Sequence, residues 1–357
     1  MSERHGAITR EGERFPPPRH NLDFLGGEPP APGTVRTLVE GVLWARMPLP
    51  MELNHINVWL LDDGDSWTLV DTGVADGPSR SAWARLEDEA LGGRRIGRIV
   101  VTHDHPDHMG LAPWLADRHG AEVWMSETAH RSCGEFLHTG PEVVRARIRA
   151  FLRSHGVALP PEASATSKAD HRAWFGGLPE LDRAPADGEL LRAGAYSWQL
   201  IETAGHCRGH LCLWQPELSL LVSGDQVLPS ISPNVSVLSS RPDDDPLRDF
   251  LASLERLDAC GPDTLVLPSH GRPFLGLQRR TADLRRHHHE QLDVLRRLFT
   301  EPRTAAEALP ALFGRTLRGF HRMLALGEAV AHLNYLRARG EFTRTLDGEG
   351  VVRFVRA

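Results

Sequence analysis

From residue 34 onward, apolar residues fall into short runs broken by Gly, Pro or Asp. "TVRTLVEGVLWARM", "HINVWLLDDG" and "SWTLVDTG" are β-type runs, and Gly64 among its aspartates supplies a hairpin turn between the last two. "SRSAWARLEDEAL" has helical spacing, with Ser79 or Ser81 placed to cap it, and "RIGRIVVTH" returns to strand. "GLAPWLADRHG" reads as helix and "AEVWMS" as strand. Strands alternating with helices predict an α/β layered domain.

Between residues 127 and 181 the strand signal lapses. "EVVRARIRAFLRSHG" spaces Val143, Val144, Ile148, Phe151 and Leu152 helically, which predicts a helical insertion. Strands resume in "YSWQLIETAG", "LCLWQPELSLLVSGD" and "DTLVLPSHG", with a helix in "PLRDFLASLERLDA". After Gly271 the pattern is helical over 282–299, "TAAEALPALF" and "LGEAVAHLNYLRARG", and it closes on the hairpin "EFTRTLDGEGVVRFV". Thr304 and Glu307 form a capping box. Three helices and a hairpin make a winged-helix pattern. The expected organisation is an extended Pro- and Gly-rich arm over 1–33, an α/β domain over 34–280 with the insertion at 127–181, and a winged-helix-like tail over 281–357.

Composition narrows the picture. The 357 residues suffice for one large domain and a smaller one, and a formal net charge of −6 gives no reason to expect nucleic acid or an anionic membrane as partner. Lys168 is the only lysine. Cys133, Cys207, Cys212 and Cys260 show no CxxC spacing and read as reduced thiols. No signal peptide or membrane-spanning run is evident, so a soluble, cytoplasmic protein is expected.

The chemistry concentrates in "VTHDHPDHMG", which places His103, His105, Asp107 and His108 directly after the apolar run Ile99–Val101. His206, Asp225 and His270 likewise follow apolar strands, so four strands each end in a His or Asp. Strand ends on one side of a sheet converge on one crevice. Imidazole with carboxylate suits zinc, and also manganese or iron. Seven ligands exceed what one tetrahedral ion with an open position needs, which points to two ions with one carboxylate between them.

"THDHPDHMG" followed by single His, Asp and His residues resembles the metallo-β-lactamase superfamily, and "LVDTG" is similar to its upstream signature. The resemblance covers about residues 35 to 280, and "AHLNYLRARGEF" resembles the C-terminal winged helix of the lactamase-beta-like hydrolases. It implies a four-layer αββα sandwich. It also implies a first divalent ion on His103, His105 and His206, a second on Asp107, His108 and His270, and Asp225 as bridge. Asp71 would be a carboxylate that orients the site. Antibiotic lactamases usually carry a cysteine where this chain has Asp225, which disfavours penicillin hydrolysis.

Other residues are weighed individually. His210, four after His206, either supports the site or is simply buried. Asp104 is expected to point away from the ions, Cys207 to face away and be inert, and Asn234 to line the pocket. The run His287–Glu290 lies in a helical pattern that fans its side chains round the axis, so it is not expected to hold a metal. Two ions sharing a water lower its pKa towards neutrality and polarise a substrate carbonyl. With only Tyr196 and Tyr335 as tyrosines, a proton donor for the leaving group is scarce. A thiol, with a pKa of about 8.5, departs without one, which favours a small thioester substrate. For an ester or lactone, Asp107 or a metal could serve instead, and Asp107 and Asp225 are the candidate catalytic carboxylates.

The alternative is a metal-dependent nuclease or phosphodiesterase that uses the winged helix. Residues 281–357 carry 13 arginines against 9 acidic residues, a net of +4, and the would-be recognition helix is mostly apolar. Packing or homodimerisation is the expected role of the tail. An iron oxidoreductase on the same fold ranks last, because no flavin-type domain is present and no ligand is missing. The insertion holds an unusual apolar set, Phe136, Phe151, Trp174 and Phe175, and part of it is expected to form a lid whose apolar side faces an acyl group, with a dimer interface or satellite core as the other reading.

Overall fold

A computed structural model describes residues 22–357 apart from 26, 52, 159–170, 315, 316 and 318. Most of the expected N-terminal arm, and Lys168, lie outside the described residues.

The chain runs β1 (Asp23–Phe24), β2 (Val35–Val39), β3 (Val42–Pro48), β4 (His55–Asp62), β5 (Ser66–Val70), α1 (Gly77–Glu89), β6 (Arg95–Val100), α2 (Pro106–Met109), α3 (Ala112–His119) and β7 (Glu122–Trp124). It continues through α4 (Glu127–His138), α5 (Pro141–Ser154), a 3-10 turn (His171–Trp174), β8 (Leu190–Ala193), β9 (Tyr196–Thr203), β10 (His210–Gln215), β11 (Leu220–Gly224), α6 (Pro246–Asp258), β12 (Leu265–Pro268) and β13 (Phe274–Leu275). It ends with α7 (Leu277–Leu298), α8 (Ala305–Phe313), α9 (Gly319–Ala338), β14 (Phe342–Leu346) and β15 (Val352–Arg356).

Strands β2 to β7 form one sheet in sequence order, with β5, β6 and β7 parallel. The other sheet runs β1-β13-β12-β11-β10-β9-β8, and its β11–β12 pair is parallel. The inner faces meet in a core that includes Trp44, Trp59, Val70, Val100, Trp198, Leu213 and Leu267. Trp44 and Trp59 stack there at 6.0 Å. A second core joins the first sheet to α1 and α3, through Trp83, Leu86 and Leu115, and to α4. A third joins the other sheet to α6 through α9. Helix, sheet, sheet, helix is the expected four-layer αββα order.

Several local expectations shift. Helix α1 is capped by Asp76, whose carboxylate accepts from the Ser79 N–H at 2.8 Å, not by Ser79 or Ser81. Pro78, with its fixed φ, starts the helix earlier than the apolar pattern does. The pattern does not predict strand β8; it is an edge strand whose exposed and buried positions alternate, but exposed Leu190 is apolar and masks that alternation in the sequence. Helix α7 begins at Leu277 and passes straight through the expected boundary at 280. The capping box at Thr304 and Glu307 is present.

Helices α4 and α5 with the 3-10 turn account for the described part of 127–181. Phe151, at 5% exposure, belongs to the core beneath the C-terminal helices and therefore not to a lid. Trp174 and Phe175 are half-buried against the first helical layer. No helix among the described residues is long and apolar enough to cross a membrane.

Candidate metal centre

Each candidate ligand sits where a strand has just stopped. Strand β6 delivers His103 and His105, and the short α2 that follows carries Asp107 and His108. From the other sheet, β9 delivers His206, β11 Asp225 and β12 His270. The two sheets thus bring all seven residues together in two groups. In the first, His105 Nδ1 lies 3.0 Å from His103 Nε2 and 3.2 Å from His206 Nε2. In the second, Asp107 Oδ2 lies 3.6 Å from His108 Nε2 and 3.4 Å from His270 Nε2.

Asp225 stands between the groups. Its Oδ1 is 3.6 Å from His108 Nε2 and 3.4 Å from His270 Nε2, while its Oδ2 is 3.5 Å from His206 Nε2. Buried polar atoms normally find partners, yet His108 Nε2 and Asp225 Oδ1 have no hydrogen bond. Inward lone pairs without donors suit cations, so this donor set fits divalent metals.

The outward nitrogens are all held, which fixes which nitrogen of each ring faces in. The Nδ1 of His270 donates to the His55 carbonyl at 2.8 Å, and that of His206 to the Asn234 carbonyl at 3.0 Å. Asn234 therefore acts through its backbone. The Nδ1 of His108 donates to Asp71 at 2.7 Å, and that of His103 to Thr102 Oγ1 at 3.0 Å. Asp71 also accepts from the Thr102 N–H at 2.8 Å and its hydroxyl at 2.9 Å. It has φ of 63°, a left-handed conformation that Asp tolerates better than most residues. It is thus both a turn residue and the carboxylate behind His108.

His210 is fully buried and serves the site. Its Nε2 accepts the Asp225 backbone N–H at 3.1 Å, and its ring stacks on His103 at 5.0 Å. Gly224 makes this contact feasible: at φ of 53°, a Cβ there would lie 2.3 Å from His210 Nε2.

The expectation that Cys207 faces away is wrong. Its Sγ lies 3.5 Å from His105 Nε2 and groups with His103, His105 and His206. The chain turns sharply at Gly205, φ of 109°, so strand alternation no longer governs its neighbours. Burial, with Asp104 nearby, pushes the Cys207 thiol well above its usual range. Asp104 thus sides with Cys207.

Sequence reasoning also missed how the first sheet grips the end of β12. Asn57 on β4 donates from Nδ2 to the Pro268 carbonyl at 2.7 Å and from its backbone to Ser269 at 2.7 Å. Trp44 Nε1 and Arg46 Nε both donate to its Oδ1, at 2.8 and 2.9 Å. The available signal was one amide inside the apolar run "INVWLL".

The electrostatics follow the grouping. Burial drives His206 down to about 4, with His105 adding to it, and drives His103 well below the usual imidazole range. Burial would raise Asp107, but His108 and His270 hold it down at about 2. Burial opposes protonation of His270, yet Asp225 and Asp107 carry it up to about 10. The second group thus concentrates negative charge.

Residues 51–270 match the family model described as "Metallo-beta-lactamase superfamily", and 292–357 match "Metallo-beta-lactamase-like, C-terminal domain". The chain is similar to Probable metallo-hydrolase YqjP of Bacillus subtilis (strain 168), 26% identical over 87% of this chain and 97% of that protein. It is also similar to a hydroxyacylglutathione hydrolase of Fuscovulum blasticum, 28% identical over 62% of this chain and 67% of that one. The crystal structure of a beta-lactamase domain protein from Burkholderia ambifaria superposes with a TM-score of 0.85 at 37% identity, over 94% of this chain and 97% of the other. A metallo-beta-lactamase family protein from Thermus thermophilus gives 0.74 at 30% identity, over 90% and 100%. The chain is a metal-dependent hydrolase that belongs to the metallo-β-lactamase superfamily.

Proposed function

We propose that the protein holds two divalent ions, zinc in preference to manganese or iron, and hydrolyses a small thioester. The observation that carries this reading is Asp225, which presents one oxygen to each group of ligands. His103, His105 and His206 would hold one ion; Asp107, His108 and His270 would hold the other. Such ions supply an activated water and polarise the reacting carbonyl. Asp71, Thr102, His55 and the Asn234 carbonyl keep the ring lone pairs aimed inward.

The leaving group is argued from what surrounds the centre. Tyr196 packs at the inter-sheet core and Tyr335 against the C-terminal helices, so neither is a ready proton donor. A thiolate leaves without one. The relative from Fuscovulum blasticum is named for a glutathione thioester, which supports the same class.

Against the nuclease reading, the middle of α9 is buried from Ala325 to Asn334. Arg337 and Arg344 both pair with Asp243, and Arg339 pairs with Glu341. A helix packed in this way has its middle turned into the protein and not towards a groove, so the tail supports the core.

Trp174 and Phe175 keep a place in the proposal as residues bordering the substrate. The Trp174 carbonyl accepts from Ala75 N–H at 2.8 Å, and Gly176 N–H donates to the Gly110 carbonyl at 2.9 Å, which ties this turn to loops beside Asp71 and His108. Trp174→Ala should change the preference among acyl chains without changing metal content; unchanged kinetics with loss of a dimer would make the segment an interface.

The function itself is tested by presenting the zinc-loaded protein with thioesters, lactones, phosphodiesters and RNA. Turnover of thioesters at the highest kcat/KM is expected. Cleavage of RNA or phosphodiesters in preference would reverse the assignment.

A further inference from the structure

Helices α7 and α9 bury a second polar group that involves none of the seven residues above. His288 on α7 and His332 on α9 are 0% exposed, with His288 Nδ1 3.1 Å from His332 Nε2. Glu328 lies one turn before His332 on α9 and is also buried. Among the described residues, its carboxyl makes no hydrogen bond or ion pair. One candidate ligand atom from each of the three lies within 4.8 Å of the others.

Hydrogen bonding alone leaves this group unsatisfied. His332 Nδ1 donates to the Glu328 backbone carbonyl at 2.8 Å, so its Nε2 carries the lone pair and faces His288. His288 Nε2 is buried with no partner. Gln291, one turn further along α7, donates through Nε2 to His287, and its Oε1 is buried without a partner too. A proton on His288 Nε2 would leave that donor buried without an acceptor. It would also leave two lone pairs 3.1 Å apart, on His288 Nδ1 and His332 Nε2, whereas a proton on Nδ1 makes that contact a hydrogen bond and leaves His288 Nε2 a buried acceptor with no donor. Tetrahedral bonds of about 2.0 Å set ligand atoms about 3.3 Å apart. The carboxylate would supply the countercharge that a buried cation needs.

We propose that His288, His332 and Glu328 bind a single divalent transition ion, separate from the ions of the main centre, which fastens α7 to α9. Two imidazoles and one carboxylate suit zinc or iron(II). The surroundings are closed: Phe250 meets the His288 ring edge-on at 5.3 Å, and both helices belong to the same apolar core. That enclosure assigns the ion a structural role. The fan of side chains along His287–Glu290 does rule out a site within the run, but α9 supplies what the run lacks. No signal in the run itself pointed to that partner.

The test compares zinc per chain, by elemental analysis, in zinc-loaded full-length wild type, His332→Gln and Glu328→Gln. Each variant is expected to hold one equivalent fewer than wild type. Equal content in folded variants overturns the proposal. A second measurement leaves the three residues intact: His103→Ala/His108→Ala protein is titrated with cobalt(II). It should still show visible d–d bands for one ion, and adding Glu328→Gln should remove them; bands absent at the outset, or insensitive to Glu328→Gln, overturn it.

Discussion

Asp71→Asn separates the charge of this residue from its backbone. Position 71 has φ of 63°, and Asn accepts that conformation as readily as Asp, so the turn itself should survive. What changes is the acceptor behind His108. The carboxylate takes three donors: the Thr102 N–H, the Thr102 hydroxyl and His108 Nδ1–H at 2.7 Å. An amide oxygen can keep the first, but its NH2 group then faces the other two. His108 escapes that clash by moving its proton to Nε2, the nitrogen that faces Asp107 and Asp225. Losing one buried, charge-assisted hydrogen bond costs about 2–3 kcal/mol. The tautomer change should weaken metal binding in the second group by about 10–100-fold. Urea unfolding of chelator-treated protein measures the first effect, and zinc competition against a chromogenic chelator the second. A variant within about 0.5 kcal/mol of wild type, with unaltered zinc affinity, would reduce Asp71 to a turn residue and refute the reasoning.

Asp225→Ala should cut metal content from two ions per chain to at most one, read by elemental analysis; two retained ions would remove Asp225 as the bridge. Cys207→Ala should weaken the first group several-fold because His105 Nε2 loses the sulfur, whereas Cys207→Ser, still an acceptor, should restore most of it; isothermal titration with zinc distinguishes them. The metal-free protein should show a pH optimum set by opposed shifts. Asp107, lowered from 3.8 to about 2, stabilises the fold above about pH 4 and loses that contribution as pH falls towards 2. His270, raised from 6.5 to about 10, contributes fully below about pH 6.5 and loses it as pH rises through 10. Buried His206, lowered from 6.5 to about 4, and His103, lowered as well, make stability climb as pH rises towards 6.5. The urea midpoint under chelation should therefore peak at about pH 6.5, and a steady rise from pH 6.5 to 9 would contradict this.

The ligands were legible because strands ending in His or Asp are a one-dimensional pattern with a three-dimensional consequence. Asp71 was visible only by resemblance, since one aspartate in "VDTG" reads equally as a turn. Cys207 was misread because alternation was extended past Gly205, where the backbone leaves strand geometry. Asn57, Arg46 and His55 escaped notice because their partners lie more than 200 residues away, at Pro268, His270 and Gly271. The helix of the HHHE run is legible in its spacing, but nothing within it could show that His332 would face His288. Edge strand β8 failed for another reason: its burial alternates, but the outward position is taken by apolar Leu190, so "LLRA" does not show the alternation as apolar against polar.

The grip of Asn57 on the end of β12 has a consequence for how the molecule acquires its metals. Four of the seven candidate ligands ride on the first sheet and three on the second, and the peptide that positions His270 is anchored by a side chain from the opposite sheet. Neither half alone can assemble a high-affinity site, so ion capture should follow the docking of the two halves instead of guiding it. Metal concentration should then leave the refolding rate nearly unchanged and slow only the unfolding rate.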